Sequence, residues 1–156
     1  MAASKRSGRY GALMFLDLDN LKLLNDTYGH HVGDLLLMEV ARRIGSCVRE
    51  VDTVARFGGD EFVVILSELD VDKTESTTQS GIVAEKLRAI LAKPYVLKVK
   101  QEGKAETTLE HHCTSSIGVV LFLNHEAGAQ EIMKRADMAM YQAKEAGGNL
   151  IRFFDS

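Results

Sequence analysis

The chain has no tryptophan, a single proline and only two cysteines in 156 residues. Cys47 and Cys113 lie far apart and form no metal-ligand spacing. Each sits in an apolar context and reads as a buried free thiol, which suits a reducing compartment. One proline excludes a Pro-rich linker or repeat. Long apolar runs are also missing: Ala12 to Leu16 stops at Asp17, far short of the ~20 residues a membrane helix needs. The charged start, Met1 to Arg6, has no apolar leader segment directly after it. The expected location is cytoplasmic, without membrane contact by this domain. Strong charge of one sign is absent too. A net charge of −3 argues against a broad nucleic-acid surface, so no nucleic acid is expected as a partner. Any nucleotide would be held locally, by a metal and a few basic groups.

What is present is a globular composition, 46% hydrophobic and 26% charged, with enough chain for one normal core. Residues 1–10 are polar and small, and read as disordered or as the end of a helix that starts earlier. Residues 11–156 read as one domain, without repeats. Gly11 to Leu16 predicts a buried strand ending in Asp17-Leu18-Asp19. A short helix follows over about Asn20 to Thr27, stopped by Gly29. Val32, Leu36, Val40, Ile44 and Val48 recur every four residues and predict a longer helix, with Arg42, Arg43, Ser46 and Arg49 mainly outside its apolar stripe. Asp52 to Phe57 and Phe62 to Leu66 predict two strands. Ser67 to Ser80 reads as a polar loop, followed by a helix over Ile82 to Leu91 that stops before Pro94. Tyr95 to Val99 and His112 to Phe122 predict strands that pair as a hairpin across a polar connection. Ala129 to Ala146 predicts a last helix, and Leu150 to Phe154 a closing strand. The core order β-α-β-β-α-β implies an α+β fold, with a mainly antiparallel central sheet covered by helices.

Chemistry concentrates in Phe57-Gly58-Gly59-Asp60-Glu61-Phe62. The glycines predict a hairpin tip that tolerates positive φ and lets a ligand approach the backbone. Asp60 and Glu61 are then presented on a rigid turn. Alone, the hexapeptide reads better as an ordinary turn with solvated acids. Asp17 changes the balance. It closes the first strand, and in this topology that strand can neighbour the hairpin. Two converging carboxylates favour a cation, and oxygen-only ligation fits magnesium with a triphosphate. Asp19 or Asn20 fits the helix N-cap better than Asp17 does, so Asp19 is expected to be a cap or a supporting group. His30 reads as a pocket neighbour or packing residue. His31, His111, His112 and His125 read as surface groups.

The run from Asp17-Leu18-Asp19 through Lys22, Asn25 and Gly29 to Gly33-Asp34, followed by Gly-Gly-Asp-Glu-Phe, resembles the GGDEF family of diguanylate cyclases. The resemblance extends from about Gly11 to Phe154, with its motifs in the right order. The family has a nucleotide-cyclase or polymerase-palm-like fold and condenses two GTP into cyclic di-GMP. The resemblance implies Mg²⁺ or Mn²⁺ held by Asp17, the Leu18 carbonyl, Asp60 and Glu61, with Asp60, Glu61 and Lys22 catalytic. It implies GTP on Asn25, Asp34, Gly58, Gly59 and Lys144. Asn25 and Asp34 would face the guanine edge, and the lysines the phosphates. Arg49 and Asp52 match an Arg-x-x-Asp inhibitory product site, with Lys86 or Arg88 as a further contact. Homodimerisation would accompany catalysis. A catalytically weak or inactive domain that binds GTP or cyclic di-GMP as a regulator is the alternative. Two departures bear on that choice. Gly148 stands where the family usually has a basic phosphate contact, and the family's opening Asp-x-Leu-Thr-Gly-Leu stretch is absent. The end of the chain is similar to GGDEF domains that precede an EAL phosphodiesterase domain, so sensor or EAL domains are expected in the full-length protein.

Overall fold

The computed structural model describes residues 8–100, 103–123 and 128–155. Strand β1 (Gly11–Leu18) lies at the centre of a five-stranded sheet. On one side it pairs antiparallel with β3 (Glu61–Leu66), and on the other with β6 (Ser115–Phe122). The edges are β2 (Thr53–Arg56), antiparallel to β3, and β7 (Ile151–Phe153), parallel to β6. The sheet is thus mixed and mainly antiparallel, as the element order implies.

Strand β1 is apolar from Gly11 to Leu16 because both of its faces are covered there. Ala12, Met14, Leu16 and Leu18 face one core, with α2 (His30–Cys47) and α3 (Lys73–Leu91) above them. Leu13 and Phe15 face the other, under α4 (Ala129–Glu145). Helix α1 (Leu21–Tyr28) joins β1 to α2 and buries Leu21 and Leu24. Both cysteines are buried and free. Among the described residues, no helix is long and apolar enough to cross a membrane.

Two expectations are corrected. Helix α3 starts at Lys73, inside the stretch that reads as a loop. Asp72 caps it by accepting from Glu75 N at 2.9 Å. Its inward residues there are Ser76 and Ser80, both fully buried, so no apolar period marks the turn. The second concerns the Tyr95 strand. β4 (Tyr95–Val99) pairs with β5 (Thr107–His111) in a separate two-stranded sheet, while the strand after Cys113 joins β1 instead. The β5 segment Thr107-Thr108-Leu109-Glu110 is polar because it is an exposed edge.

Arg43 is a third correction. It is 8% exposed, although its position in the pattern lies outside the apolar stripe. Its guanidinium donates to the carbonyls of Ile90, Lys93 and Pro94 at 2.7–2.9 Å and to Glu39 at 2.9 Å. It also lies 3.7 Å from the Tyr95 ring centroid. A planar fork thus satisfies one carbonyl in the last turn of α3 and two in the segment that follows it. Arg43→Ala is expected to cost about 3 kcal/mol, read by urea unfolding, because buried acceptors lose charged donors. Arg43→Lys is expected to recover less than half, since an ammonium cannot span three carbonyls and stack on the ring.

Candidate active site

Register builds the acidic cluster. Asp17 stands directly opposite Glu61 across the β1–β3 ladder, and opposite Ser116 on the β6 side. The Leu18 N–H donates to the Asp60 carbonyl at 3.1 Å, tying the end of β1 to the hairpin loop. Asp17, Leu18, Asp60 and Glu61 therefore meet at one end of the sheet. From α4, Lys144 Nζ reaches Asp17 Oδ1 at 3.2 Å and Asp19 Oδ1 at 3.4 Å.

This concentration of charge moves ionisations. Asp17 is pushed up to about 7, first by burial and then by Asp60, with Lys144 pulling the other way. Glu61 is raised by burial, then by Asp60 and by Asp137 of α4. Burial opposes the charge on Lys144, but Asp17 and Asp19 outweigh it and hold its pKa above the ordinary value. The raised Asp17 has a definite sign. The folded state binds that proton more tightly than the unfolded chain does, so its stabilising effect is complete at low pH and lost as pH rises. Cation-free protein is expected to lose stability between the ordinary value of 3.8 and about 7. Asp60→Asn should flatten that dependence, as urea midpoints against pH in chelator would show.

The hairpin tip differs from expectation. Neither Gly58 nor Gly59 adopts a positive φ. The connection is longer than a two-residue turn: Phe57 N and Gly58 N both donate to the Glu61 carbonyl, at 2.9 and 3.4 Å. These glycines matter for the space they leave. A Cβ on Gly58 would sit 2.7 Å from Glu61 Oε1, and Gly59 faces open space. Arg56, which the sequence reading passed over, fastens the loop by donating to the Gly58 and Gly59 carbonyls at 3.2 and 2.9 Å.

Beside the acids lies a cavity of about 420 Å³ whose lining includes Lys22, Asn25, His30, Gly33, Asp34, Arg56, Gly59 and Asp60. Asn25 lines this cavity, and its Oδ1 is buried against Gly33 without a hydrogen-bond partner on this chain. Gly33 permits this, because a Cβ at that position would lie 1.8 Å from Asn25 Oδ1. Gly33→Ala is expected to leave stability within about 1 kcal/mol of the parent, since Ala favours the helix and the Asn25 tip can swing away. The same change should weaken purine nucleotide binding at least about tenfold, read by calorimetry, because one good base contact is worth about 1–3 kcal/mol.

Asp19 does not cap α1. Asn20 occupies the cap position with φ 70° and makes no side-chain cap bond. Asp19 instead accepts from Thr114 Oγ1 at 2.6 Å and Ser116 Oγ at 3.0 Å. Gly148 has φ 73° and packs on that carboxylate. His30 lines the cavity, while His31 and His112 are exposed. His111 is half-buried rather than on the surface, and burial lowers its pKa. His125 lies outside the described residues.

Arg49 and Asp52 occupy a different place. Their cavity of about 370 Å³ also includes Glu68, Gln79 and Val83 and shares no lining residue with the first. Asp52 has a side chain only 1% exposed and accepts from Arg49 N at 2.8 Å and Ser67 N at 3.1 Å. The Arg49 guanidinium pairs with Asp52 and bonds the Ser67 carbonyl. Neither Lys86 nor Arg88 is in that lining. Arg88 turns to Asn149 Oδ1 at 2.8 Å.

The donor set suits a hard divalent cation. Asp17 Oδ1 is buried and accepts no well-directed hydrogen bond, with the Lys144 ion pair on it and the Asp60 carboxylate nearby. Among the described residues, no three His, Cys, Asp or Glu side chains close into a metal cage by themselves. Two carboxylates and a backbone carbonyl fit an open oxygen site that water and phosphate oxygens would complete.

The family profile described as diguanylate cyclase, GGDEF domain, matches residues 1–150. The chain belongs to the GGDEF family. This GGDEF domain is 41% identical over 151 residues to the bifunctional diguanylate cyclase/cyclic di-GMP phosphodiesterase MucR of Pseudomonas aeruginosa. That match covers 97% of this chain but 20% of MucR, so the chain spans about a fifth of that relative. The crystal structure of an EAL/GGDEF domain protein from M. capsulatus superposes with a TM-score of 0.80 at 37% identity, covering 99% of this chain and 91% of that one. The GGDEF domain of DgcB from Caulobacter crescentus, solved in complex with c-di-GMP, gives 0.81 at 29% identity, covering 99% and 84%.

Proposed function

We propose that this GGDEF domain condenses two GTP into cyclic di-GMP, working as a pair of copies with their sites face to face. The observation that carries this reading is the placement of Asp17, Asp60 and Glu61 beside a cavity lined by Lys22, Asn25 and Asp34. In the reaction, the 3′-oxygen of one GTP attacks the α-phosphorus of the other. A new P–O bond forms, the bond to the β-phosphate breaks, and pyrophosphate leaves. The same step repeated in the opposite sense closes the ring.

Each residue has a defined task. Asn25 and Asp34 bind the guanine edge, where a carboxylate accepts from the N1–H and N2–H₂ donors that adenine lacks as a pair. Gly58 and Gly59 give the triphosphate room. Glu61 takes the 3′-hydroxyl proton, and burial with Asp60 nearby raises its pKa, which makes it a stronger base than an ordinary carboxylate. Lys22 and Lys144 neutralise charge that develops on the phosphates. Asp17, Asp60 and the Leu18 carbonyl would hold Mg²⁺ or Mn²⁺, with Glu61 adjacent. A bound cation supplies charge neutralisation at the phosphates. Arg49 and Asp52 form the inhibitory product site, where a guanidinium can donate to guanine O6 and N7. GTP as substrate and unpaired buried thiols both suit the cytoplasm. Sensor or EAL domains accompany this one in the full-length protein, as the small share of MucR covered suggests.

Incubation with GTP and Mg²⁺, followed by chromatography and mass analysis, tests the reading: cyclic di-GMP and pyrophosphate are expected. Gly148 favours a second reading, a GTP- or cyclic di-GMP-binding regulatory module, because its turn leaves no side chain for the phosphates. Tight GTP binding without product would select that reading.

A further inference from the structure

The Asp19 carboxylate is more heavily bonded than its place after β1 requires. Besides Thr114 Oγ1 and Ser116 Oγ, it accepts from the Asn149 N–H at 3.3 Å and from Lys144 Nζ at 3.4 Å. Its own N–H donates to the Thr114 carbonyl at 2.8 Å. The donors come from β6 and the residue preceding it, from the end of α4, and from the turn beyond α4. That turn is shaped around the carboxylate: a Cβ on Gly148 would lie 2.9 Å from Asp19 Oδ2. Two hydroxyls and a backbone amide thus fix a carboxylate whose remaining partner is an ammonium.

That ammonium is shared. Lys144 Nζ also lies 3.2 Å from Asp17 Oδ1. It supplies a positive charge beside the carboxylate that the proposed cation would use. A cation arriving at Asp17 has to displace it. Without a second carboxylate, Lys144 would give up its whole ion pair on leaving. With Asp19 fixed behind it, Lys144 keeps one partner and stays at the site.

We infer that Asp19 is a positioning residue for Lys144. It shares the lysine with Asp17 while the site is empty, and retains it beside the incoming triphosphate once a divalent cation takes Asp17. Thr114 and Ser116 orient Asp19 for this task. This inference rests on the cation and triphosphate site proposed above. Its sign is specific. Without Asp19, Lys144 has only Asp17 and competes harder for it, so cation affinity falls. Without Lys144, no competitor remains, and Asp19 matters little to the cation.

A double-mutant cycle on Mn²⁺ binding, followed by electron paramagnetic resonance without nucleotide, separates these effects. Asp19→Asn is expected to weaken Mn²⁺ binding about tenfold, the size of one nearby charge partner. Lys144→Met alone should tighten Mn²⁺ binding and weaken GTP binding. In the Lys144→Met background, the Asp19→Asn effect should shrink to about twofold or less. Thr114→Val changes no charge and should shift Mn²⁺ affinity in the same direction as Asp19→Asn. An equal Asp19→Asn effect in both backgrounds overturns the inference and leaves the site reading intact. Mn²⁺ binding that is absent in the parent, or that survives Asp17→Asn with Asp60→Asn, overturns the site reading and the inference with it.

Discussion

Gly118→Ala is expected to destabilise the domain by about 3 kcal/mol or more, a large fraction of what a domain of this size has to lose. Gly118 lies on β6 where α4 crosses the sheet. A Cβ there would sit 2.1 Å from the Ala136 carbonyl oxygen and 2.3 Å from Met140 N. Both are backbone atoms, so no rotamer change can make room. The helix would have to lift from Leu13, Phe15 and Val120, which pack with its Ile132, Ala136 and Met140. Lifting α4 also moves Lys144, so the active cluster should loosen with the core. A urea titration at neutral pH gives the cost. A loss below about 1 kcal/mol would mean that α4 is not held at this separation.

Glu61→Gln should reduce cyclic di-GMP formation about a thousandfold while leaving GTP affinity within about twofold, because general-base catalysis contributes about 10²–10⁴. The substitution keeps shape and removes the proton acceptor. It also removes a carboxylate that Asp60 and Asp137 repel, so the protein should not be less stable at neutral pH. Asp60→Asn should also lose turnover, but together with cation affinity. Comparing kcat with KM and with the Mn²⁺ dependence separates the two roles. If Glu61→Gln retained most of its turnover, the 3′-hydroxyl proton would have to leave by another route, and Glu61 would be a bystander.

Local pattern revealed the parts of the fold whose side chains follow one rule. β1 is apolar from Gly11 to Leu16 because both of its faces are buried there, and α2 keeps a four-residue apolar period because only one of its faces is. The first turns of α3 escaped that reading. Their inward residues are serines bonded to neighbouring backbone, as Ser76 is to Asp70. The β4–β5 pairing escaped because β5 is a polar edge. In the site, Asp17, Lys22, Asn25, Asp34, Asp60, Glu61 and Lys144 were legible as a motif set. Their convergence depends on the β1–β3 register, which no local pattern specifies. Arg43 and Arg56 escape the sequence pattern, and Asp19 stays open there between a cap and a supporting group, for one reason: their partners are distant carbonyls and hydroxyls, or the backbone of a loop whose shape is set by the fold. Of the two reasons the sequence offers for Gly58 and Gly59, the left-handed backbone fails, and the space left by the missing side chains stands.

The central claim is that one copy holds one GTP and that two copies complete the reaction. The initial rate of cyclic di-GMP formation at saturating GTP and Mg²⁺, measured against protein concentration, tests it most directly. A rate that rises with the square of concentration when dilute, and linearly once copies pair, is the expected result. A rate proportional to protein throughout, in a protein shown to be monomeric, would contradict it, as would absence of product at every concentration.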